Sequence, residues 1–191
     1  MQIVGITGGI GSGKSTIARE LSRRGFAVYD CDQEAKRIIA ENTEVQKAII
    51  ALLGEEAFVG GQYNTSYVAQ RAFAEPELLK RLNAIVHPAV LNDLKDLKDT
   101  KDLLFVESAI LFEAGLDKLC DQVVCVDAPE EVRIARTMAR DHCDEAHVRA
   151  RMRRQTSAFS YPHSDQKKTI VLMNDGSQSI EGLVDSLIAK L

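Results

Sequence analysis

The chain has 191 residues, 45% apolar and 27% charged, with a formal net charge of −4. That length and apolar content suit one domain with a sizeable core, with or without an insertion, and exclude disorder as the main description. The acidic total argues against a broad nucleic-acid-binding surface, and no apolar run reaches the roughly 18 residues needed to span a bilayer. Met1-Gln2-Ile3-Val4 leads straight into a strand-like run with no basic n-region, so the cytoplasm is the expected compartment. Cys31, Cys120, Cys125 and Cys143 form no C-x-x-C pair, and neither a disulfide nor a metal framework is expected of them.

In chain order, Gln2–Thr7 is a short apolar run of the kind buried on both faces of a parallel sheet. Gly8-Gly9-Ile10-Gly11-Ser12-Gly13-Lys14-Ser15-Thr16 follows and satisfies G-x-x-x-x-G-K-[ST] in full. The amphipathic pattern Lys14–Arg24 comes next, so the motif sits between a strand and a helix. Glycines there let successive backbone N–H groups turn inward onto phosphate oxygens, and the helix N-terminus adds its positive dipole end. Gly8, Gly11, Ser12, Gly13, Lys14, Ser15 and Thr16 are therefore expected to bind ATP. Lys14 would reach the β- and γ-phosphates, and the Ser15 hydroxyl would ligate Mg2+. No N-K-x-D motif reads a guanine base, which leaves small-molecule kinases as the leading class.

Phe26–Asp30 is the second strand pattern, and Asp30-Cys31-Asp32 closes it. A spacing of two would point both carboxylates to one side of an extended chain, at the strand end where ligands bind in open α/β sheets. Asp32 could take or orient the proton of an attacking hydroxyl; either aspartate could instead cap the helix that follows. Residues 33–101 break the alternation, with helical patterns at Gln33–Ile39, Glu44–Leu53, Pro76–Val86 and Ala89–Leu97, turn signals at Gly54, Gly60-Gly61 and Asn64, and no convincing central strand. They read as a helical insertion. His87-Pro88 inside it reads, on its own, as a helix boundary.

Alternation then resumes. Leu103–Glu107 ends on an acid that resembles a Walker-B position, a Mg2+ ligand, or else a solvated strand end. Glu113, closing the next segment, could serve the site or be solvated. Gln122–Asp127 is a fourth strand pattern, and Pro129-Glu130-Glu131 opens a helix well. From Arg133 to Arg154 there are seven Arg, no Lys and three acids, a +4 segment in a chain whose remainder carries 17 basic against 25 acidic residues. Arg133, Arg136 and Arg140 share one helix face, and Arg149 and Arg153 share another. Two helices joined near Asp141–Asp144 would make an Arg-bearing lid over about 133–155 that grips phosphate and excludes water; ion pairs on a solvated face are the alternative. Thr169–Met173 is a fifth strand pattern and Ser179–Lys190 an amphipathic helix. Five short strands alternating with helices predict an α/β fold with a parallel sheet.

With these residues in place, the chain resembles the dephospho-CoA kinase family over nearly its full length. The resemblance lies in GITGGIGSGKST, V-Y-D-C-D-Q-E-A, L-N-A-I-V-H-P, F-V-E-S-A-I-L-F-E, D-Q-V-V-C-V-D-A-P-E-E-V-R-I-A-R-T-M-A-R-D and R-M-R-R-Q. It implies a P-loop NTPase three-layer fold with a five-stranded parallel sheet and the loop-bearing strand central. It implies a nucleotide-binding core from 1–32 and 102–191, and a helical CoA-binding insertion over 33–101. The activity implied is transfer of the ATP γ-phosphate to the ribose 3′-hydroxyl of dephospho-CoA, with Mg2+, the last step of coenzyme A synthesis. Asp32 matches the family's base, with Lys14 and Arg140 as catalytic partners. Arg136 and Arg140 match lid arginines, and Asn174 stands near the adenine. Asp30, Asp32, His87 and Pro88 belong to the acceptor site, and Ser15 and Glu107 to the metal. Ala109 stands where the family usually has proline, and Glu107 where it usually has aspartate. Another P-loop nucleotide or nucleoside kinase, or a nucleotide-binding module without catalysis, are the alternatives; neither nucleic acid nor membrane is an expected partner.

Overall fold

The computed structural model describes residues 2–97, 102–155 and 168–191; residues 98–101 at the end of the expected insertion lie outside them. Five strands, β1 (Gln2–Thr7), β2 (Ala27–Asp30), β5 (Leu103–Glu107), β6 (Gln122–Asp127) and β7 (Lys168–Met173), form one sheet in the order β2-β5-β1-β6-β7. Every pairing is parallel. The five-stranded parallel sheet expected from the resemblance is thus present, with β1 in its middle.

Burial explains why β1 shows no polar alternation: Ile3, Val4, Ile6 and Thr7 are all buried. Val4 and Ile6 join Phe105, Val124 and Val126 of the neighbouring strands in one core. Ile17 and Leu21 of α1 (Lys14–Arg23) and Leu183, Val184 and Leu187 of α8 (Ile180–Ile188) complete it. On the other face, a Cβ added at Gly5 would lie 2.8 Å from Leu111 Cδ2 and 2.9 Å from Cys120 Sγ, so the segment after β5 packs directly on the strand. At the edge, β7 is one-sided, with Ile170 and Leu172 buried while Val171 and Met173 are about half exposed. Burial pushes the Cys125 thiol on β6 up to about 11, and the four cysteines are free thiols.

The chain divides into two compact units, Met1–Asp30 with Lys101–Leu191, and Cys31–Thr100. The first holds the sheet, α1, α8 and the pair α6 (Glu130–Asp141) and α7 (Glu145–Arg154). His142 joins that pair in the left-handed conformation, at φ 51°, and Asp144 caps α7 by accepting from the His147 N–H at 2.8 Å.

The second unit contains α2 (Cys31–Glu41), α3 (Thr43–Leu53), α4 (Thr65–Ala74) and α5 (Pro76–Leu97). Between α3 and α4, where Gly60-Gly61 and Asn64 signal turns, lies a small hairpin of β3 (Phe58–Val59) and β4 (Gln62–Tyr63). Gly60 and Gly61 both have positive φ, as the tight two-residue connection requires. Asn42 and Asn64 cap α3 and α4.

Two local expectations are corrected here. First, α2 begins at Cys31, directly after β2, so Asp32 lies in a first helical turn. The extended spacing that would align the Asp30 and Asp32 side chains therefore does not exist. Acids in a first turn favour that early start, because they complement the helix dipole. Second, His87-Pro88 is not a helix boundary: α5 runs through Pro88 from Pro76 to Leu97. Proline removes the donor to the Ala84 carbonyl. A stripe of buried residues at every fourth position, Leu78, Leu82, Val86, Val90 and Leu94, outweighs that loss.

His87 is half-buried on α5, and burial pushes its pKa below the ordinary value of 6.5. The unfolded chain then takes up the proton more readily than the folded one. Stability from this group is present above about pH 6.5 and is lost as pH falls through the lower folded pKa. Thermal melts between pH 8 and pH 5 are expected to show a decline that His87→Gln flattens; equal slopes for the two proteins would contradict it.

Candidate active site

At the carboxyl end of the central strand, the glycine loop runs from Gly8 into α1. Gly13, at φ 95°, takes the N-cap position of α1. The helix has no side-chain cap there and no acid in its first turn, so its amino end is arranged for an anion from outside. Close packing also demands glycine in this loop. A Cβ on Gly11 would lie 2.3 Å from the Arg133 carbonyl oxygen, and one on Gly13 would lie 2.2 Å from Asn174 Nδ2.

Parallel registry brings the acidic side chains to the same end. Ile6 of β1 pairs with Glu107 of β5, and Glu107 pairs with Asp30 of β2. Glu107 is buried, at 5% exposure. Its Oε1 accepts from the Ser15 hydroxyl at 3.1 Å and lies 4.0 Å from Lys14 Nζ. Of the two readings of Glu107, the solvated strand end is set aside by this burial.

Around the loop, Arg136 and Arg140 of α6 line a cavity of about 380 Å3 with Lys14, Ser15, Thr16 and Asn174. Arg19 and Ile180, which the sequence reading did not single out, line it too. Arg19 reaches back along α1, its Nε donating to the Ser15 carbonyl at 3.3 Å and its Nη2 to Thr16 Oγ1 at 3.4 Å. Asn174, just past β7, is buried and fully engaged. Its backbone N–H donates to the Asp127 carbonyl at 2.7 Å, and its Nδ2 donates to the Ser12 carbonyl at 2.9 Å. Its own carbonyl accepts from Arg136 Nη1 at 2.9 Å. These bonds make Asn174 a brace of the loop. The Ser12 side chain points inward, its Oγ buried and without a hydrogen-bond partner among the described residues.

Five arginines of the +4 segment fall into two groups. Arg133 Nε donates to the Ile10 carbonyl at 3.0 Å, and Arg136 faces Asn174, so both hold the loop's surroundings. Arg140 faces its neighbour, Nε to Asp141 Oδ1 at 2.6 Å, and Arg151 Nη1 meets the other oxygen of Asp141 at 2.5 Å. Hydrogen bonds from Arg140 and then Arg151 hold the Asp141 carboxyl far below the usual carboxylate range. Arg149 is paired with Glu130 and Glu145. Arg153 borders a different, smaller hollow with Glu130, Arg149 and Met152. For Arg149 the ion-paired surface reading describes the structure.

Asp32, on α2, and His87 and Pro88, on α5, lie in the second unit, where Arg37 of α2 meets Asp93 of α5 at 2.7 Å. Among the described residues no cluster of three or more His, Cys, Asp or Glu could hold a metal by itself. Ser15 and Glu107 nevertheless offer two hard oxygen donors beside the loop. Mg2+ in phosphate sites draws on one or two such groups and completes its shell with water and phosphate. The donor set fits that ion.

Comparison with known proteins adds the lineage. A family model described as dephospho-CoA kinase matches residues 2–179. The dephospho-CoA kinase of Salinibacter ruber is 40% identical over 183 residues, covering 93% of this chain and 90% of its own. That of Bacteroides fragilis is 36% identical over 191 residues, covering 98% and 92%. A crystal structure from Thermus thermophilus superposes with a TM-score of 0.80 at 37% identity over 100% of this chain and 97% of that one. The dephospho-CoA kinase of Campylobacter jejuni, with a TM-score of 0.68 at 23% identity over 100% and 97%, shares the fold. The glycine loop, the five-stranded parallel sheet and likeness along the whole length agree: the chain belongs to the dephospho-CoA kinase family.

Proposed function

We propose that this chain transfers the γ-phosphoryl group of ATP to the ribose 3′-hydroxyl of dephospho-CoA, giving coenzyme A and ADP. The observation that carries the reading is the uncapped amino end of α1 beneath the glycine loop, with Lys14, Ser15 and buried Glu107 converging on it, in a chain whose family is dephospho-CoA kinase.

The residues divide the work. Loop N–H groups of Gly11, Gly13, Lys14 and Ser15 and the α1 dipole bind the phosphates. Lys14 places a fixed cation at the β- and γ-phosphates. Ser15 and Glu107 would hold Mg2+, which when bound neutralises charge across the β- and γ-phosphate oxygens. Asn174 keeps the loop in shape and Arg136 keeps Asn174 in place. Arg140, on the cavity wall, stabilises charge on the transferring oxygens, for which it must leave Asp141. Asp32 accepts the proton of the attacking hydroxyl, and Asp30, His87 and Pro88 position the acceptor. In this assignment, residues 1–32 and 102–191 form the nucleotide-binding core, 33–101 the CoA-binding insertion, and 133–155 a lid that keeps water away from a transferable phosphoryl group. No helix among the described residues is long and apolar enough to cross a membrane, and the cytoplasm is the proposed compartment.

A coupled assay of ADP release tests the reading directly. Turnover is expected with dephospho-CoA and Mg2+, and to fall to background when either is withheld. Turnover with nucleosides, nucleoside monophosphates or shikimate, and none with dephospho-CoA, would overturn it.

A further inference from the structure

The R-M-R-R-Q segment ends on a residue for which the mechanism above has no use. Gln155 follows the last residue of α7, and its side chain reaches the phosphate loop across 145 positions of sequence. Gln155 Oε1 accepts from the Ile10 N–H at 2.8 Å. Its Nε2 faces the Gly8 carbonyl at 3.5 Å and the Ala109 carbonyl, just beyond β5, at 3.4 Å. One amide therefore joins the loop, the segment after β5 and the end of α7. Only a side chain with both an acceptor and two donors on one planar group can do this.

The other end of the same helical pair grips the same residue. Arg133, in the first turn of α6, donates through Nε to the Ile10 carbonyl at 3.0 Å. Its guanidinium lies so close over the loop that a Cβ on Gly9 would fall 2.4 Å from Nη2. Both backbone polar groups of Ile10 are thus taken up by the α6–α7 pair, the carbonyl by its beginning and the N–H by its end. A loop of glycines is conformationally permissive and would otherwise lose entropy when it organises around phosphate. Two fixed contacts on its one bulky residue remove that freedom before ATP arrives.

We propose that Gln155 is a positioning residue for ATP: it fixes the Ile10 N–H and, with Arg133 on the opposite group, holds the glycine loop in its phosphate-binding shape through the α6–α7 pair. The inference rests on reading the loop as the ATP site, and it requires no contact between Gln155 and substrate.

Amide hydrogen exchange and ATP affinity, measured on the full chain without acceptor, test it with Gln155→Leu and Gln155→Met. In the leucine variant, exchange at Ile10 is expected to accelerate about tenfold while β1 amides are unchanged, and the ATP Kd to rise about fivefold, the scale of one lost hydrogen bond. The methionine variant keeps the length of the side chain without the amide and is expected to show the same two changes, which also covers the case in which the leucine variant does not fold. Wild-type exchange at Ile10 in either folded variant, or faster exchange with an unchanged ATP Kd, would overturn the proposal. Wild-type protein that binds ATP but ignores dephospho-CoA would count against the functional reading alone.

Discussion

Lys14→Ala is expected to lower kcat/KM for ATP about 1,000-fold and to weaken ATP binding at the same time. The ammonium group lies beside Glu107, and both side chains are largely buried. A charge in that setting is screened far less than one in water, so it acts strongly on phosphate in the ground state and on the charge that develops during transfer. Alanine removes both effects. It also leaves the buried Glu107 carboxylate without its neighbouring cation, so some loss of thermal stability is expected alongside. Steady-state ADP release and calorimetric titration of ATP separate the two consequences. A lower melting temperature with wild-type ATP affinity would mean that Lys14 serves the fold through Glu107 and not the nucleotide.

Asp32→Asn is expected to reduce kcat by about 100- to 10,000-fold, the range for a lost general base, while ATP affinity changes little. Asparagine keeps the shape and removes the charge. Asp32 lies in the first turn of α2, where an acid complements the dipole, and the dipole's share of a structural role is worth about 0.3–1 kcal/mol of stability. That penalty would appear in the melting temperature and leave turnover almost intact. Full activity in a slightly less stable Asp32→Asn protein would therefore assign the aspartate to the helix terminus and remove it from the chemistry.

The features legible in the sequence were those set by residues close together in the chain. The strand-loop-helix from Gln2 to Arg23 is one, because glycine spacing, an apolar run and a 3.6-residue period are all local. Two local readings gave way, one to burial and one to the helix dipole. Pro88 looked like a helix end, and the stripe of buried side chains in α5 carried the helix past it. Asp30-Cys31-Asp32 looked extended, yet the helix starts at Cys31. Asn174, expected near the adenine, lines the cavity beside the loop, and its side chain also holds the Ser12 carbonyl across 162 positions. Nothing within a few residues of Asn174 announces that partner.

By itself, then, the sequence determined the five strands of the sheet, the anion-binding loop and the family resemblance, since each depends on residue types at short and regular spacing. Tertiary structure alone decided the order β2-β5-β1-β6-β7, and with it the registry that sets Glu107 next to the Ser15 hydroxyl. It also decided which arginines hold the loop, as Arg133 and Arg136 do, and which are spent on neighbouring acids, as Arg149 is. The physical reason is common to all of these. A hydrogen bond or ion pair is made by whichever group lies within about 3 Å with the right geometry, and for segments a hundred residues apart that neighbour is chosen by how strands and helices pack.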